Sequence, residues 1–202
     1  MISDDNLPAV PQLLLASSSP RRQALLNQLG VQFELIENAY QECHQPGESA
    51  RCYVKRNALA KANAAFSQLP QKPRSVVVLA ADTVVALDQH ILEKPQHQMD
   101  ADRMLSMLAG QTHQVLSAVA MVSDQKQKVV LQQSQVTMRE ISAVERKAYW
   151  LSGELQDKAG GYAIQGLGAI FVTHLAGSYS GVMGLPIYET VELLAEFGIQ
   201  TL

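Results

Sequence analysis

The chain has 202 residues, of which 47% are hydrophobic and 17% charged, so it is long enough to bury a core. Its formal net charge of -3 gives no overall positive field, which argues against nucleic acid as a partner. No apolar run approaches the roughly 20 residues of a membrane-spanning helix, and residues 1–12 lack the basic segment of a signal peptide. Two cysteines outside any CxxC spacing favour free thiols in a reducing compartment. We therefore expect a soluble cytoplasmic protein with no membrane partner.

The first third of the chain predicts strands and helices in alternation. Residues 13–16 are a short apolar run typical of a buried strand. Ser19 suits a helix N-cap, the proline after it suits the first helical position, and Gly30 is placed to end that helix. A second strand is expected at residues 33–36, and the alanine-rich segment 49–66 predicts a longer helix.

Hairpins dominate the middle of the sequence. The strongest strand signal is a run of Val and Leu at residues 75–81 that we expect to end at Asp82. Residues 84–87 and 90–92 flank a polar turn and predict a hairpin. The remaining elements expected in this region are an amphipathic helix at residues 100–108 and two strands at residues 113–123 and 128–138.

The C-terminal part predicts two more helices and one strand. A capping box at residues 142–145 opens a helix that ends near Gly153. A strand is expected at residues 169–175, and a final helix at residues 186–198. The order of elements favours a single α/β domain, residues 1–202, with a mixed sheet and a groove between two lobes.

The first candidate site is the loop at residues 17–22, Ser-Ser-Ser-Pro-Arg-Arg, which joins a strand to a helix N-terminus. Free backbone N–H groups and the helix dipole attract anions there, and the hydroxyls with Arg21 and Arg22 could bind phosphate oxygens. A capped helix with two solvated arginines is the equal alternative. The loop is not a Walker A motif, because the glycine-rich run and its GK[ST] ending are absent.

Asp82 is the second candidate, because a carboxylate at the carboxyl end of a buried strand lies where open α/β sheets bind ligands. It could hold a divalent cation or take a proton from an attacking water. Lys94, near the end of the hairpin, could neutralise phosphate charge. Lys61 lies in the middle of the alanine-rich helix and could point into a cleft. For each of the three, a residue without a functional role is the simpler explanation in isolation.

Two glycine-containing loops complete the candidates. Glycines bracket the apolar stretch at residues 157–166, which suits a close approach of backbone to a ligand, and the Gln165 amide could read a nucleobase edge. Residues 177–186 again place a loop before a helix. A second phosphate-contacting loop and ordinary turn chemistry explain it equally well.

Taken together, these segments resemble the Maf family of nucleoside triphosphate pyrophosphatases. The similarity runs from about residue 13 to the C-terminus, and its motifs occur in the family's order and spacing. The matching segments are Leu-Ala-Ser-Ser-Ser-Pro-Arg-Arg at 15–22, Ala-Asp-Thr-Val-Val at 81–85, Leu-Glu-Lys-Pro at 92–95, Asp-Lys-Ala-Gly-Gly-Tyr-Ala-Ile-Gln-Gly at 157–166 and Val-Met-Gly-Leu-Pro at 182–186.

The resemblance implies a two-lobed Maf/ITPase-like α/β fold with an elongated mixed sheet flanked by helices, a central cleft and a possible homodimer. It implies an enzyme that cleaves nucleoside triphosphates to a monophosphate and pyrophosphate, which clears nucleotide pools and has a possible link to cell division arrest. Segment 157–166 is similar to the branch that acts on dTTP and UTP. The 7-methyl-GTP branch has a tryptophan where this chain has Arg21.

The resemblance also assigns residues to roles. Asp82 matches the catalytic base, while Arg21, Thr83 and Gln165 match positions tied to base selection. The positions that match phosphate-contacting or catalytic residues are Ser17, Ser19, Arg21, Arg22, Lys61 and Lys94.

A divalent cation, Mg2+ or Mn2+, is implied as cofactor, with Asp82 and Glu42 as its ligands. The family usually has two adjacent acidic residues after the second strand, and this chain has Gln41-Glu42 there.

Gln41 keeps an alternative open. A lost metal ligand could mean lost activity, and the chain would then be a non-catalytic nucleotide-binding regulator of septum formation. A nucleotidyltransferase that uses an acceptor substrate is a further alternative.

Overall fold

A mixed β-sheet runs through the part of the chain that the computed structural model describes, residues 11–70 and 75–201. Its strands are β1 (Gln12–Leu15), β2 (Phe33–Leu35), β3 (Val76–Leu87), β4 (His90–Leu92), β5 (Thr112–Val122), β6 (Gln127–Met138) and β7 (Val172–Ala176). The strand order is β2-β1-β3-β5-β6-β7, and β4 pairs with β3. β1 is parallel to β2 and β3, whereas the other pairs are antiparallel.

Helices cover both faces of this sheet. They are α1 (Pro20–Asn27), α2 (Ala50–Ser67), α3 (Gln98–Leu108), α4 (Ala143–Leu151), α5 (Tyr179–Met183) and α6 (Ile187–Glu196). The α/β class with a mixed sheet flanked by helices is confirmed. No helix in the described segments combines the length and apolar composition that a membrane crossing requires. Cys43 and Cys52 are both exposed free thiols.

The alternation of side chains along β3 divides the core between the two faces. Val78, Ala80 and Val84 pack with the alanine-rich side of α2, where Ala58 and Ala62 are fully buried. Leucines and valines of the opposite face pack with α1 and α6. A third apolar cluster joins α3 and α4 to the far ends of β5 and β6. The sheet is therefore packed on both faces, and successive β3 side chains point to opposite faces.

The strand predicted at residues 75–81 does not end at Asp82, so that prediction is wrong. β3 continues as one strand to Leu87 because Asp82 and Thr83 pair with Ala118 and Ser117 of β5. The carboxylate is compatible with a buried strand because side chains of α2 provide its partners. Asp82 thus lies in the middle of a strand.

The strand predicted at residues 169–175 begins later than expected. A 3-10 helix, Leu167–Phe171, precedes β7, because the backbone N–H groups of Leu167 and Gly168 donate to the Glu154 carboxylate and not to a neighbouring strand. The short helix α5, which Ser178 caps through a hydrogen bond from the Gly181 N–H, was not predicted. The other predicted elements are present with shifts of one or two residues at their ends.

Candidate active site

One edge of β3 is paired only near its two ends. β1 pairs with residues 76–79 and β4 pairs with residues 85–87, whereas β5 pairs without a gap with residues 78–86 on the opposite edge. The described chain places no strand against residues 80–84 on the first edge. The chain leaves β1 at this point, after the Ala16 N–H donates to the Leu79 carbonyl at 2.8 Å. A central cavity of about 460 Å3 opens into the gap.

All of the predicted site residues line this central cavity. They come from the loop after β1, the first turn of α1, the segment before α2, α2 itself, the middle of β3, the residues after β4 and the segment after α4. These residues are Ser17, Ser19, Arg21, Arg22, Glu42, Lys61, Asp82, Thr83, Lys94 and Gln165. Segments up to 148 positions apart in the chain thus meet at one gap in the sheet.

Asp82 points to the α2 side of the sheet because it shares a face with Ala80 and Val84. The Lys61 ammonium lies 2.7 Å from its Oδ1, and the Asn57 amide donates to its Oδ2 at 3.2 Å. The side chains of Asp82 and Lys61 are only 5% and 9% exposed, so this is a buried ion pair. Lys61, which the sequence suggested could point into a cleft, is buried and lines the cavity.

The same ammonium contacts a second carboxylate. Lys61 Nζ lies 2.5 Å from Oε1 of Glu42, whose side chain is 37% exposed. Burial alone would raise the pKa of Glu42, but Lys61, with smaller effects of Lys94 and Arg22, lowers it below its ordinary value. Glu42 is therefore an anion at neutral pH, and Lys61 joins it to Asp82.

Thr83 points to the opposite face of the sheet, toward Arg22. The Arg22 guanidinium donates to the Gly184 carbonyl at 2.9 Å, to Ser17 Oγ at 3.3 Å and to Thr83 Oγ1 at 3.4 Å. Burial lowers the pKa of Arg22, the charge of Asp82 opposes that effect, and an arginine remains a cation in any case. Its three acceptors are all neutral, so its charge remains available to an anionic ligand.

The cavity holds further cations without an acidic partner. Among the described residues, no ion pair includes Arg21, Arg22, Lys94 or Lys158, all of which line the cavity. The Ser19 hydroxyl forms no capping hydrogen bond, and the N-terminus of α1 opens directly onto the cavity. These four cations and the helix N-terminus attract anions, although Glu93 and Asp157 also line the cavity.

Comparison with known proteins identifies the family. The model of the family described as Maf-like protein matches residues 12–197, which is nearly the whole chain. The chain belongs to the Maf family.

Relatives of similar length support this membership. A protein of Photobacterium profundum named dTTP/UTP pyrophosphatase is 47% identical over 189 residues, which cover 92% of this chain and 96% of the relative. A protein of Saccharophagus degradans with the same name is 48% identical and covers 93% and 89% of the two chains. Among solved structures, the Staphylococcus aureus Ham1 protein aligns over 64% of this chain and 72% of its own chain, with 13% identity and a TM-score of 0.46.

A polar network behind Glu42 and Asp82 was missed in the sequence of this Maf-family chain. Arg56 of α2 donates to both carboxylate oxygens of Glu48, at 2.7 and 2.6 Å, and to the Tyr40 hydroxyl at 2.6 Å. The Tyr40 hydroxyl in turn donates to Asn57 Oδ1 at 3.1 Å. The network anchors the segment that carries Glu42 against α2, and it orients the Asn57 amide so that its Nδ2 faces Asp82.

One sequence signal could have revealed part of this network. Tyr53, Asn57 and Lys61 follow one another at intervals of four residues, and such residues lie on one face of a helix. All three are buried on α2, and Tyr53 and Lys61 line the cavity. The Tyr53 hydroxyl donates to the carboxylate of Glu93, which also lines the cavity. A polar stripe on an alanine-rich helix therefore indicates the cavity.

The loop at residues 177–186 shows ordinary turn chemistry at its hydroxyls. Ser178 caps α5, and Ser180 Oγ accepts a hydrogen bond from the Ile187 N–H at 3.0 Å. Neither serine lines the cavity, whereas residues 182–184 do. The loop reaches the candidate site through the Gly184 carbonyl that holds Arg22. Ser178 and Ser180 therefore act in the local turn, and a phosphate contact of this loop stays a prediction.

The donor set fits a divalent cation that shares its coordination with a ligand. Within the described residues, no group of three or more His, Cys, Asp or Glu side chains is placed to hold a metal. Glu42 and Asp82 nevertheless present two carboxylates to one common cation, which here is Lys61. Mg2+ typically binds one or two carboxylates together with substrate phosphates, so two carboxylates in a cationic cavity suit it.

Proposed function

We propose that this Maf-family chain hydrolyses dTTP and UTP to the nucleoside monophosphate and pyrophosphate. The observation that carries the proposal is the buried Asp82 carboxylate inside a cavity whose other walls hold cations without acidic partners. The name shared by its relatives, dTTP/UTP pyrophosphatase, supports the reaction and the two substrates.

The triphosphate would lie against the loop at residues 17–22. There the N-terminus of α1 and the hydroxyls of Ser17 and Ser19 offer hydrogen bonds, and Arg21 and Arg22 offer charge. Arg22 is well suited because its contacts with neutral acceptors already fix its planar group. This pre-organisation lowers the entropy cost of holding a phosphate.

Asp82 would act as the general base. A water oxygen attacks the α-phosphorus, its proton passes to the Asp82 carboxylate, and the bond from the α-phosphorus to the bridging oxygen breaks. Pyrophosphate leaves with the electron pair of that bond. Lys61 and Asn57 hold the carboxylate in one orientation, and Lys94 would neutralise the charge that develops on the leaving group.

Glu42 and Asp82 would hold the divalent cation, Mg2+ or Mn2+. When bound, it supplies Lewis-acid polarisation of the phosphate oxygens. Because Glu42 is the more exposed of the two carboxylates, it can turn toward the ion without breaking the buried pair of Lys61 and Asp82. Gln41 is exposed and does not line the cavity, so this proposal gives it no role.

Base selection would use polar groups of the same cavity lining. Gln165 offers an amide donor and acceptor, and Arg21 and Thr83 add further polar groups. Val85, Val115 and other apolar side chains complete the lining and suit the flat face of a base. We propose that Arg21, Thr83 and Gln165 select uracil and thymine.

The proposal is tested by product analysis with the purified chain. With Mg2+ present, dTTP and UTP should each give the monophosphate and pyrophosphate, and 7-methyl-GTP should react far more slowly. In water enriched in heavy oxygen, the label should enter the monophosphate because attack is on the α-phosphorus. Release of a diphosphate and phosphate, label in pyrophosphate, or no turnover with any nucleotide would overturn the proposal. Homodimer formation and a cytoplasmic location remain predictions.

A further inference from the structure

The segment that carries Gln165 is held from behind by two side chains outside the cavity lining. Tyr149 lies in the last turns of α4 and Glu154 follows shortly after that helix ends. Neither residue lines the central cavity. Tyr149 is buried, with 4% of its surface exposed, and its ring packs edge-on against Phe171. The hydroxyl of Tyr149 therefore has a fixed position.

Four hydrogen bonds connect this pair to the segment and to each other. Glu154 Oε1 accepts from the Tyr149 hydroxyl at 2.7 Å and from the Gly168 N–H at 3.0 Å. Its Oε2 accepts from the Leu167 N–H at 2.7 Å, and the Tyr149 hydroxyl accepts from the Ala163 N–H at 3.0 Å. The bonded N–H groups lie on both sides of Gln165, so the two side chains fix the backbone before and after it.

Gln165 itself depends on this backbone for its position. Its side chain is exposed and forms no hydrogen bond with any other described residue. Two backbone hydrogen bonds also hold this turn, from the Gly166 N–H to the Ala163 carbonyl at 3.2 Å and from the Ala169 N–H to the Gly166 carbonyl at 3.1 Å. The direction in which the Gln165 amide enters the cavity is therefore set by the hydrogen bonds to Tyr149 and Glu154.

Tyr149 and Glu154 approach the backbone of this segment closely. A Cβ atom at Gly166 would lie 2.2 Å from Glu154 Oε2, and one at Gly168 would lie 2.6 Å from the Tyr149 hydroxyl. The two glycines allow the carboxylate and the hydroxyl to approach the backbone directly. Burial alone would raise the pKa of Glu154, but hydrogen bonds from Gly168, Tyr149 and Leu167 outweigh it and lower that pKa. Tyr149 and Glu154 together form a clamp on the backbone at residues 163–168. This clamp contains an anion, which accepts stronger hydrogen bonds than a neutral group.

We propose that Tyr149 and Glu154 are positioning residues that set the base selectivity of the enzyme by fixing the segment that presents Gln165. The inference rests on the proposed function, and on the role of Gln165 in base selection. A clamp of this kind acts on the recognition of the base and leaves the groups around Asp82 unchanged. Its loss should therefore affect KM and the discrimination between bases more than kcat.

The experiment measures kcat and KM for dTTP and for GTP in the Glu154→Gln and Tyr149→Phe variants. The ratio of kcat/KM for dTTP to that for GTP should fall roughly tenfold, mainly through a higher KM for dTTP, because a misplaced amide loses its hydrogen bonds to the base. Glu145→Gln is the matched control. Glu145 caps the first turn of the same helix and also binds Arg139, so its loss weakens α4 without touching residues 163–168.

A double variant separates positioning from a general structural role. If Glu154 acts through Gln165, then Glu154→Gln should not change the ratio further in a Gln165→Ala background. The proposal is overturned if Glu154→Gln slows both nucleotides equally, if it shifts the ratio as much in that background, or if Glu145→Gln has the same effect. If Tyr149→Phe does not fold, the Glu154→Gln series decides alone.

The two proposals fail in different ways. If the unaltered chain releases no pyrophosphate, the proposed function fails and this inference fails with it. If the unaltered chain discriminates and Gln165→Ala reduces the discrimination while Glu154→Gln does not, only the positioning role fails. If Gln165→Ala leaves the ratio unchanged, Gln165 does not read the base, and the inference falls while the pyrophosphatase activity stands.

Discussion

Replacing Lys61 by methionine should destabilise the fold more than replacing Asp82 by asparagine, although the two residues form one ion pair. The Lys61→Met change removes the ammonium and keeps a side chain of similar length, so no large cavity forms. Asp82, whose side chain is 5% exposed, then retains a hydrogen bond from Asn57 at 3.2 Å and no other side-chain partner among the described residues. In the Asp82→Asn variant, Lys61 still contacts Glu42 at 2.5 Å.

The expected loss in the free energy of unfolding depends on which charge stays buried without its partner. Lys61→Met should cost about 3–5 kcal/mol, the usual effect of leaving one member of a buried pair without its partner. Asp82→Asn should cost less, about 1.5–3 kcal/mol, the range for losing a hydrogen bond to a charged group. Glu42 is exposed enough to be hydrated, so its separation from Lys61 adds about 0–1 kcal/mol. The double variant buries neither charge and should recover most of the stability, because replacing both members of a buried pair is often neutral.

Urea unfolding at neutral pH, followed by circular dichroism, measures these free energies. The midpoints should rank the unaltered chain highest, the double variant next, then Asp82→Asn and last Lys61→Met, with unchanged denaturant slopes. None of the three variants should turn over nucleotide at the normal rate. If the loss in the double variant equals the sum of the two single losses, Lys61 and Asp82 are not coupled and the reasoning is refuted.

Three further predictions concern pH and binding. Burial lowers the pKa of His113 from 6.5 to about 4. Between these two pH values the unfolded chain binds more protons than the folded chain, so the free energy of unfolding should fall as the pH drops from 6.5 to 4. A melting series should show a smaller fall in His113→Gln, and equal falls would exclude His113. Hydrogen bonds from Arg139 and then Ser142 lower the pKa of Glu145 from its ordinary 4.5 to about 2. The stability that the charged Glu145 contributes should therefore be lost as the pH falls from 4.5 to 2, and the Glu145→Gln variant should not show this loss. Arg22→Lys should raise the KM for dTTP roughly tenfold because an ammonium cannot reproduce the planar contacts, and an unchanged KM would remove Arg22 from phosphate binding.

Local chemistry made several parts of the fold predictable from the sequence. Ser142 and Glu145 form the expected capping box, because both hydrogen bonds lie within four residues of each other. The hairpin of β3 and β4 turns at Asp88, which has a positive φ of 52°, as a short polar turn requires. The cationic loop before α1 also follows from neighbouring residues. In each case the stabilising contacts are local.

The wrong predictions concern residues whose local structure depends on contacts with distant parts of the chain. Asp82 continues a strand because Ala118 pairs with it and because Asn57 and Lys61 bind its carboxylate. Lys61 is buried for the same reason, because the carboxylates that it contacts, Asp82 and Glu42, lie on other segments of the chain. Glu154 likewise accepts hydrogen bonds from backbone N–H groups thirteen or more positions away, so β7 begins later in the chain than predicted. Motifs could indicate which residues meet at the site, but not which contacts join them.

The most direct test of the account compares pyrophosphate release from dTTP by Asp82→Asn and by Asp124→Asn. Asp124 is exposed in the turn between β5 and β6, and it does not line the central cavity, so it controls for the loss of one carboxylate. Asp82→Asn should lower kcat by roughly 10²–10⁴, the usual value of a positioned base, and Asp124→Asn should leave it unchanged. If folded Asp82→Asn releases pyrophosphate at the rate of the unaltered chain, the buried carboxylate is not the base and the central claim is wrong.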